Sequence, residues 1–143
     1  MKIEPKFPII QLIEGDKVVY GCTNASDYYQ CDINYIPKYQ NSLVIDSEGT
    51  LLKIISAKKA KWGTWLWGYN PLLKGRVAIV DFEYEQPQKL DWKEFKIILT
   101  ERLSKKVNPI WYPNSIKKIK QRLESSETDS FREIIELFSY ELN

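Results

Sequence analysis

A change in hydrophobic period near residue 90 constrains the fold of this chain most. Before it, apolar residues alternate with polar ones or form short β-branched runs, because strand side chains repeat every two residues. After it, apolar residues recur every three or four positions, the spacing of one helix face. With 143 residues the chain has the size of an ordinary domain. We expect one α+β domain over residues 1–143, with an antiparallel β-sheet of about five strands packed against three C-terminal helices.

The first half of the chain predicts two hairpins. The runs 7–13 and 17–22 flank the turn at 14–16, and the runs 42–45 and 51–55 flank a turn from Asp46 to Thr50. Asp46 is a favoured first turn residue, and Gly49 can take a positive φ. Between the hairpins, residues 23–27 offer several N-cap types and predict a short helical turn.

A further strand is predicted from Arg76 to Tyr84. Ala78, Val80, Phe82 and Tyr84 share one of its faces. On the other face, Asp81, Glu83 and Glu85 alternate. These acids indicate a charged, solvent-facing strand end, although paired carboxylates with a nearby Lys53 or Lys74 can also hold a divalent metal or perform acid–base catalysis.

Three helices are predicted after this strand. Asp91 and Glu94 form a capping-box pattern, and the helix that they begin extends to about Val107 with Trp92, Phe95, Leu99 and Leu103 on one stripe. A second helix, capped by Asn114 or Ser115, carries Ile116, Ile119 and Leu123. A third begins at about Asp129 and carries the apolar residues Phe131, Ile134, Ile135, Phe138 and Leu142.

The composition excludes several classes of protein and site. The chain has no histidine, so the commonest general base and metal ligand is missing. Cys22 and Cys31 match neither a zinc pattern nor a disulfide framework, and we expect two reduced structural thiols. No glycine-rich phosphate loop or calcium loop is present. Neither a catalytic site nor a cofactor is therefore expected, and the chain is predicted not to be an enzyme.

The segment from Lys58 to Gly75, here the tryptophan segment, is basic and rich in aromatic residues. It contains four lysines and no acid, interleaved with Trp62, Trp65, Trp67 and Tyr69. We expect the aromatic surplus of the chain to be concentrated here rather than spread through the core. The rings can pack in the core, form a protein-binding surface, or stack on the bases of a single-stranded nucleic acid.

Charge is segregated between the last helices. Six basic residues and no acid lie between Lys105 and Arg122, here the basic patch, whereas six acids and one base lie between Glu124 and Glu141. The two helices can pack side by side with complementary faces. Alternatively, the basic patch meets an acidic partner, with Lys117, Lys118, Lys120 and Arg122 as its binding residues.

The start of the chain has no signal-peptide pattern, and there is no 18-residue apolar run. We therefore expect a cytoplasmic protein that does not enter a membrane. The sequence does not indicate its oligomeric state.

Two stretches carry a resemblance to a known family. Residues 4–10, Glu-Pro-Lys-Phe-Pro-Ile-Ile, and residues 42–49, Ser-Leu-Val-Ile-Asp-Ser-Glu-Gly, resemble small bacterial proteins in which a start rich in Pro and Phe precedes such a hairpin. Proteins of this kind are similar to immunity proteins of bacterial polymorphic toxin systems, which are cytoplasmic α+β proteins that bind and block a toxin. The resemblance transfers no functional residue. The net charge of +2 departs from the acidic character of many such proteins and argues against a nuclease toxin.

The sequence thus predicts a non-catalytic protein-binding domain, an immunity-like inhibitor of a bacterial toxin. The tryptophan segment and the basic patch are its expected binding surfaces. The alternative is a single-stranded nucleic-acid-binding protein that uses the same basic and aromatic residues. The pI of 8.4 lies below the range typical of dedicated nucleic-acid-binding domains.

Overall fold

The computed structural model describes residues 3–62, 69–70, 73–104, 112, 114–125 and 130–138, the backbone alone for 69–70 and 73–76. These residues form a curled antiparallel sheet with helices, so the α+β class is confirmed. The strands are β1 Ile9–Leu12, β2 Val19–Cys22, β3 Gln30–Asp32, β4 Leu43–Asp46, β5 Thr50–Trp62, β6 Tyr69–Asn70, β7 Leu73–Tyr84 and β8 Gln88–Lys89. Their spatial order along the sheet is β2-β1-β4-β5-β7-β3, while β6 pairs with β7 and β8 pairs with β5.

Both predicted hairpins are confirmed. β1 pairs antiparallel with β2, and β4 with β5. At the second turn, the Asp46 carboxylate accepts hydrogen bonds from the backbone N–H groups of Glu48 at 3.0 Å and Thr50 at 2.9 Å. Gly49 has a φ of 79°, as the turn requires. These contacts span only a few residues, which is why the sequence predicts them.

β5 is the longest strand and bends the sheet. Its first residues pair with β4, whereas the stretch from Ile54 to Trp62 pairs with β7. The pairing register shifts between Ile54 and Ser56 and again between Lys59 and Lys61. Such irregularities increase the local twist, so one strand serves two differently oriented parts of the sheet.

The helices are α1 Ala25–Tyr28, α2 Trp92–Leu103, α3 Ile116–Ser125 and α4 Phe131–Ile135, with 3-10 helices at Ile33–Tyr39 and Glu136–Phe138. The predicted turn at α1 and the capping box of α2 are confirmed: Asp91 accepts from the Glu94 N–H at 2.7 Å, and Glu94 accepts from the Asp91 N–H at 3.4 Å. α2 ends at Leu103, earlier than predicted, and α4 is a short helix that continues as a 3-10 turn.

Two apolar clusters lie on opposite faces of the sheet. The helix-side core joins Ile10, Leu12 and Ile45 to α2, α3 and α4. The second core joins the alternate strand residues Ile9, Val44 and Leu52 to α1, β7 and the 3-10 helix Ile33–Tyr39. Adjacent strand residues therefore belong to different cores, as the two-residue period of a strand dictates.

The estimate of about five strands is wrong, because the described residues form eight. The additional strands β3, β6 and β8 are two or three residues long and carry no periodic signal of their own. The 3-10 helix Ile33–Tyr39 was not predicted either. It contains Pro37, which disfavours an ordinary α-helix.

The expected concentration of aromatic residues in the tryptophan segment also needs correction. Several aromatic side chains are buried in the two cores, where Tyr28 stacks on Phe82 with centroids 4.8 Å apart and Phe95 meets Phe131 edge to face at 5.1 Å. The sequence period marks these positions only as apolar. Among the side chains that the structure describes, the buried aromatic ones are Tyr28, Tyr39, Phe82, Phe95, Tyr112, Phe131 and Phe138.

Candidate functional site

The basic side chains of α3 are held on a helix that is anchored to the core. Ile119 and Leu123 are buried in the helix-side core, and Ile116 packs against it. Because helix residues three or four apart share a face, Lys117 and Lys118 lie on the exposed side, together with Arg122, while Lys120 is half-buried. The four predicted binding residues of the basic patch thus all lie on this helix. Lys105 and Lys106 lie outside the described residues.

A shallow groove of about 460 Å³ runs between α3 and the segment 133–137. Arg122 forms an ion pair with Glu133 across it. This pair agrees with the expectation that the oppositely charged helices pack side by side. Across the described part of the chain, Lys117, Lys118 and Lys120 form no ion pair. The groove is lined by Lys118, Gln121, Arg122, Ser125, Glu133 and Leu137.

The start of α3 places cations where helix electrostatics favours anions. The Ser115 hydroxyl accepts a hydrogen bond from the Lys118 N–H at 3.1 Å, so Lys118 occupies the third helical position. The corresponding position is Glu94 in α2 and Glu133 in α4, whereas the position of Lys117 is basic in all three helices. Because the amide dipoles give a helix N-terminus partial positive charge, Lys117 and Lys118 weaken α3 rather than stabilise it.

Within the tryptophan segment, only Trp62 has a described side chain among the four predicted aromatic residues. Trp65 and Trp67 lie outside the described residues, and for Tyr69 only the backbone pairing with Arg76 is described. Trp62 is half-buried and packs against the second core, and the Lys59 ammonium lies 3.9 Å from its ring centroid. This placement favours core packing for Trp62. α3 packs in the helix-side core, so the structure does not bring Trp62 and the basic helix together.

Two of the three alternating acids at the end of β7 face basic partners on β5, and the third, Glu83, lies opposite Ser56. Glu85 lies 3.9 Å from the Lys53 ammonium, and Asp81 is directly opposite Lys58 in the strand register. Asp81 and Glu83 are exposed. In the described ranges, no group of three or more His, Cys, Asp or Glu side chains is arranged to hold a metal ion. This arrangement is that of a charged strand surface.

Both cysteines are free thiols that pack against the second core. Burial raises the pKa of Cys22, and burial together with the neighbouring Asp32 raises the pKa of Cys31 to about 11. Since the thiolate is the nucleophile, both side chains are poor nucleophiles at neutral pH.

The sequence did not predict a pair of hydrogen-bonded tyrosines in the second core. The Tyr28 and Tyr84 hydroxyl oxygens lie 2.6 Å apart, and burial is the main cause that raises the pKa of each phenol. Their hydroxyls therefore stay protonated and act as structural hydrogen-bonding groups. The alternation predicted that Tyr84 shares a strand face with Phe82, which packs in the second core, but the partner of Tyr84 on α1 could not be predicted from that pattern.

No family model, no curated protein and no solved structure matches this chain. Evidence about its function therefore comes from its own residues. None of the helices in the described part of the chain combines the length and apolar character needed to cross a membrane.

Proposed function

We propose that this protein is a non-catalytic protein-binding domain that blocks an acidic partner protein, as the immunity proteins that it resembles block their toxins. The observation that carries this proposal is Lys118 at the third position of α3, beside Lys117 in the same turn, where α2 and α4 each carry a glutamate. A cation there costs a helix about 0.3–1 kcal/mol, whereas an acid would stabilise it. A lysine at this position is explained by recognition of an acidic surface better than by stability of the fold.

The neighbouring groove suits a protein partner better than a nucleic acid. It combines the Lys118 ammonium with the half-buried Leu137 side chain, so it offers apolar contact beside charge. The Lys59 ammonium over the Trp62 ring occupies a surface that a stacked base would need. Single-stranded nucleic-acid binding is therefore the second candidate.

The test is a charge reversal that separates binding from folding. We expect K117E/K118E to weaken the complex with a purified partner, captured from the native host or encoded by the neighbouring gene, by at least about tenfold, since each exposed interfacial charge contributes to steering and complementarity. The same variant should be as stable as the wild type or more stable, because Glu at position 118 completes a capping box. Calorimetric titration and urea unfolding measure the two effects.

The matched control is K93E/K96E on α2, which changes the net charge equally on another helix. It should leave the affinity within about twofold of wild type, apart from long-range steering. Equal weakening by both variants would show that only net charge matters and would refute a specific surface. A fluorescent oligonucleotide is titrated in parallel. Binding that requires Lys117 and Lys118 and falls steeply with salt would replace the proposal by the nucleic-acid alternative.

A further inference from the structure

The second half of β5 forms an edge of the sheet. On one side of β5, pairing with β4 covers Leu51–Lys53, and the last backbone hydrogen bonds on that side join Ile54 to Asn41 and Ser42 at 2.8 and 2.9 Å. On its other side, β7 continues to pair as far as Trp62. Over the described ranges, the stretch from Lys58 to Lys61 therefore has a hydrogen-bonded strand on one side and none on the other. We call this stretch the β5 edge.

The β5 edge is strongly basic. Lys58, Lys59 and Lys61 are exposed, and the strand carries no acid from Thr50 to Trp62. Lys58 and Lys61 lie opposite Asp81 and Ile79, whereas Lys59 lies opposite the inward-facing Val80. Ammonium groups therefore lie on both faces of the strand. Side chains of an added strand would meet a lysine whichever face they occupied.

The nearest described acids do not cancel this charge for a strand that adds at the edge. Asp81 and Glu83 are on β7, on the far side of β5. Since neighbouring strands lie about 4.8 Å apart, an added strand would be one spacing from the lysines and about two spacings from those carboxylates. Glu4 lines a pocket with Ala60 of β5 and Val80 of β7, so it too lies toward β7. Acidic side chains on the added strand would therefore be attracted.

Other occupants fit the β5 edge less well. A second copy of this edge would place lysines against lysines, which is how natural proteins prevent edge-to-edge association. The phosphates of a nucleic acid would be attracted by the lysines, but a nucleic acid could not pair with the alternating N–H and C=O groups of a strand. An extended acidic polypeptide satisfies both the charge and the backbone groups.

We propose that the β5 edge binds an extended acidic segment of a partner protein by adding it to the sheet as a further strand. This contact is separate from the α3 surface, which lies in the other layer of the molecule. Main-chain hydrogen bonds supply the pairing, and the three lysines select acidic sequences and exclude basic ones.

The experiment uses the full-length protein labelled with ¹⁵N and an acetylated eight-residue peptide that alternates Glu with Val. We expect the peptide to shift the amide signals of Lys58–Lys61 and to slow their hydrogen exchange. K58Q/K61Q should weaken binding by at least about fivefold, whereas K93Q/K96Q on α2 should leave it unchanged, because charge at the edge rather than net charge selects the strand. A peptide with Lys in place of Glu should not bind.

A fully N-methylated peptide separates strand addition from simple charge attraction. It keeps every glutamate but cannot donate backbone hydrogen bonds, so we expect it not to bind. Equal binding of the methylated peptide, or no shift at Lys58–Lys61 with up to millimolar acidic peptide, would overturn the proposal. If the peptide shifts α3 amides instead, the β5 edge is refuted while the α3 proposal stands. If K117E/K118E fails to weaken the partner complex, the α3 proposal is refuted while the proposal for the β5 edge stands.

Discussion

Gly49 shows how one residue joins the local turn to the tertiary structure. Its φ of 79° lies in the left-handed region that favours glycine. A side chain here would also meet the protein: a Cβ atom would lie 2.6 Å from the Phe131 ring of α4. The sequence predicts the first requirement but not the second, because Phe131 comes from the other end of the chain. Gly15 has a similar φ of 80° but no atom within 4 Å of a Cβ position.

This contrast gives a matched pair of variants. Gly15→Ala should lower the free energy of unfolding by about 1–2 kcal/mol, the cost of a left-handed conformation. Gly49→Ala should lower it by about 2–4 kcal/mol, because the aromatic ring must also be displaced. Urea denaturation measures both values. Equal effects would mean that Phe131 moves away without cost and that the helix-side core is loosely packed at this point.

At the scale of elements, α2 and Tyr112 hold the outermost hairpin. The Arg102 guanidinium of α2 donates to the Ile13 carbonyl at 3.1 Å and to the Asp16 carbonyl in the β1–β2 turn. The Tyr112 hydroxyl accepts from the Val19 N–H at 2.8 Å and donates to the Val19 carbonyl. β2 is an edge strand, so the tyrosine occupies the place that a further strand would take at Val19. Mainly through burial, the pKa of Tyr112 is raised to about 12.

Tyr112→Phe tests this closure of the β2 edge. We expect it to lower the free energy of unfolding by about 1–3 kcal/mol, because the buried Val19 N–H and carbonyl lose their partner. Amide exchange of Val19 should accelerate, while the amides of β1, which pairs with strands on both sides, serve as the internal reference. Unchanged exchange at Val19 would show that another group or water replaces the hydroxyl.

At the scale of the whole molecule, one sheet separates two cores. Leu123 lies in the helix-side core and Phe82 in the second core, yet β1 and β4 contribute alternate residues to both. Neither core can lose its packing without disturbing strands that the other requires. The two layers should therefore fold as one cooperative unit.

Truncation in either core tests this coupling. Leu123→Ala and Phe82→Ala should each lower the free energy of unfolding by about 2–5 kcal/mol, through lost burial and a cavity. In both variants, tryptophan fluorescence and far-ultraviolet circular dichroism should give coincident unfolding curves. Separate transitions would show that the two cores unfold independently. The expectation of a single domain would then be wrong.

Features that depend on short stretches of chain followed from the sequence alone. The capping box of Asp91 and Glu94, the turn at Asp46 and the inward face of β7 each result from interactions or alternation within a few residues. The basic character of α3 was likewise visible as four basic residues with no acid from Lys117 to Arg122. Local backbone geometry and side-chain period determine such features, so no distant residue is needed to predict them.

Other features were decided only by the tertiary structure. The short strand β3 exists because β7 pairs with it, and the exposed edge of β5 arises because β4 stops pairing where β7 continues. Lys118 lines a groove because α3 lies beside the segment 133–137. The sequence determined which residues are basic, apolar or turn-forming. Packing between distant segments determined which of them remain exposed together, because burial and strand pairing depend on neighbours that local periodicity does not specify.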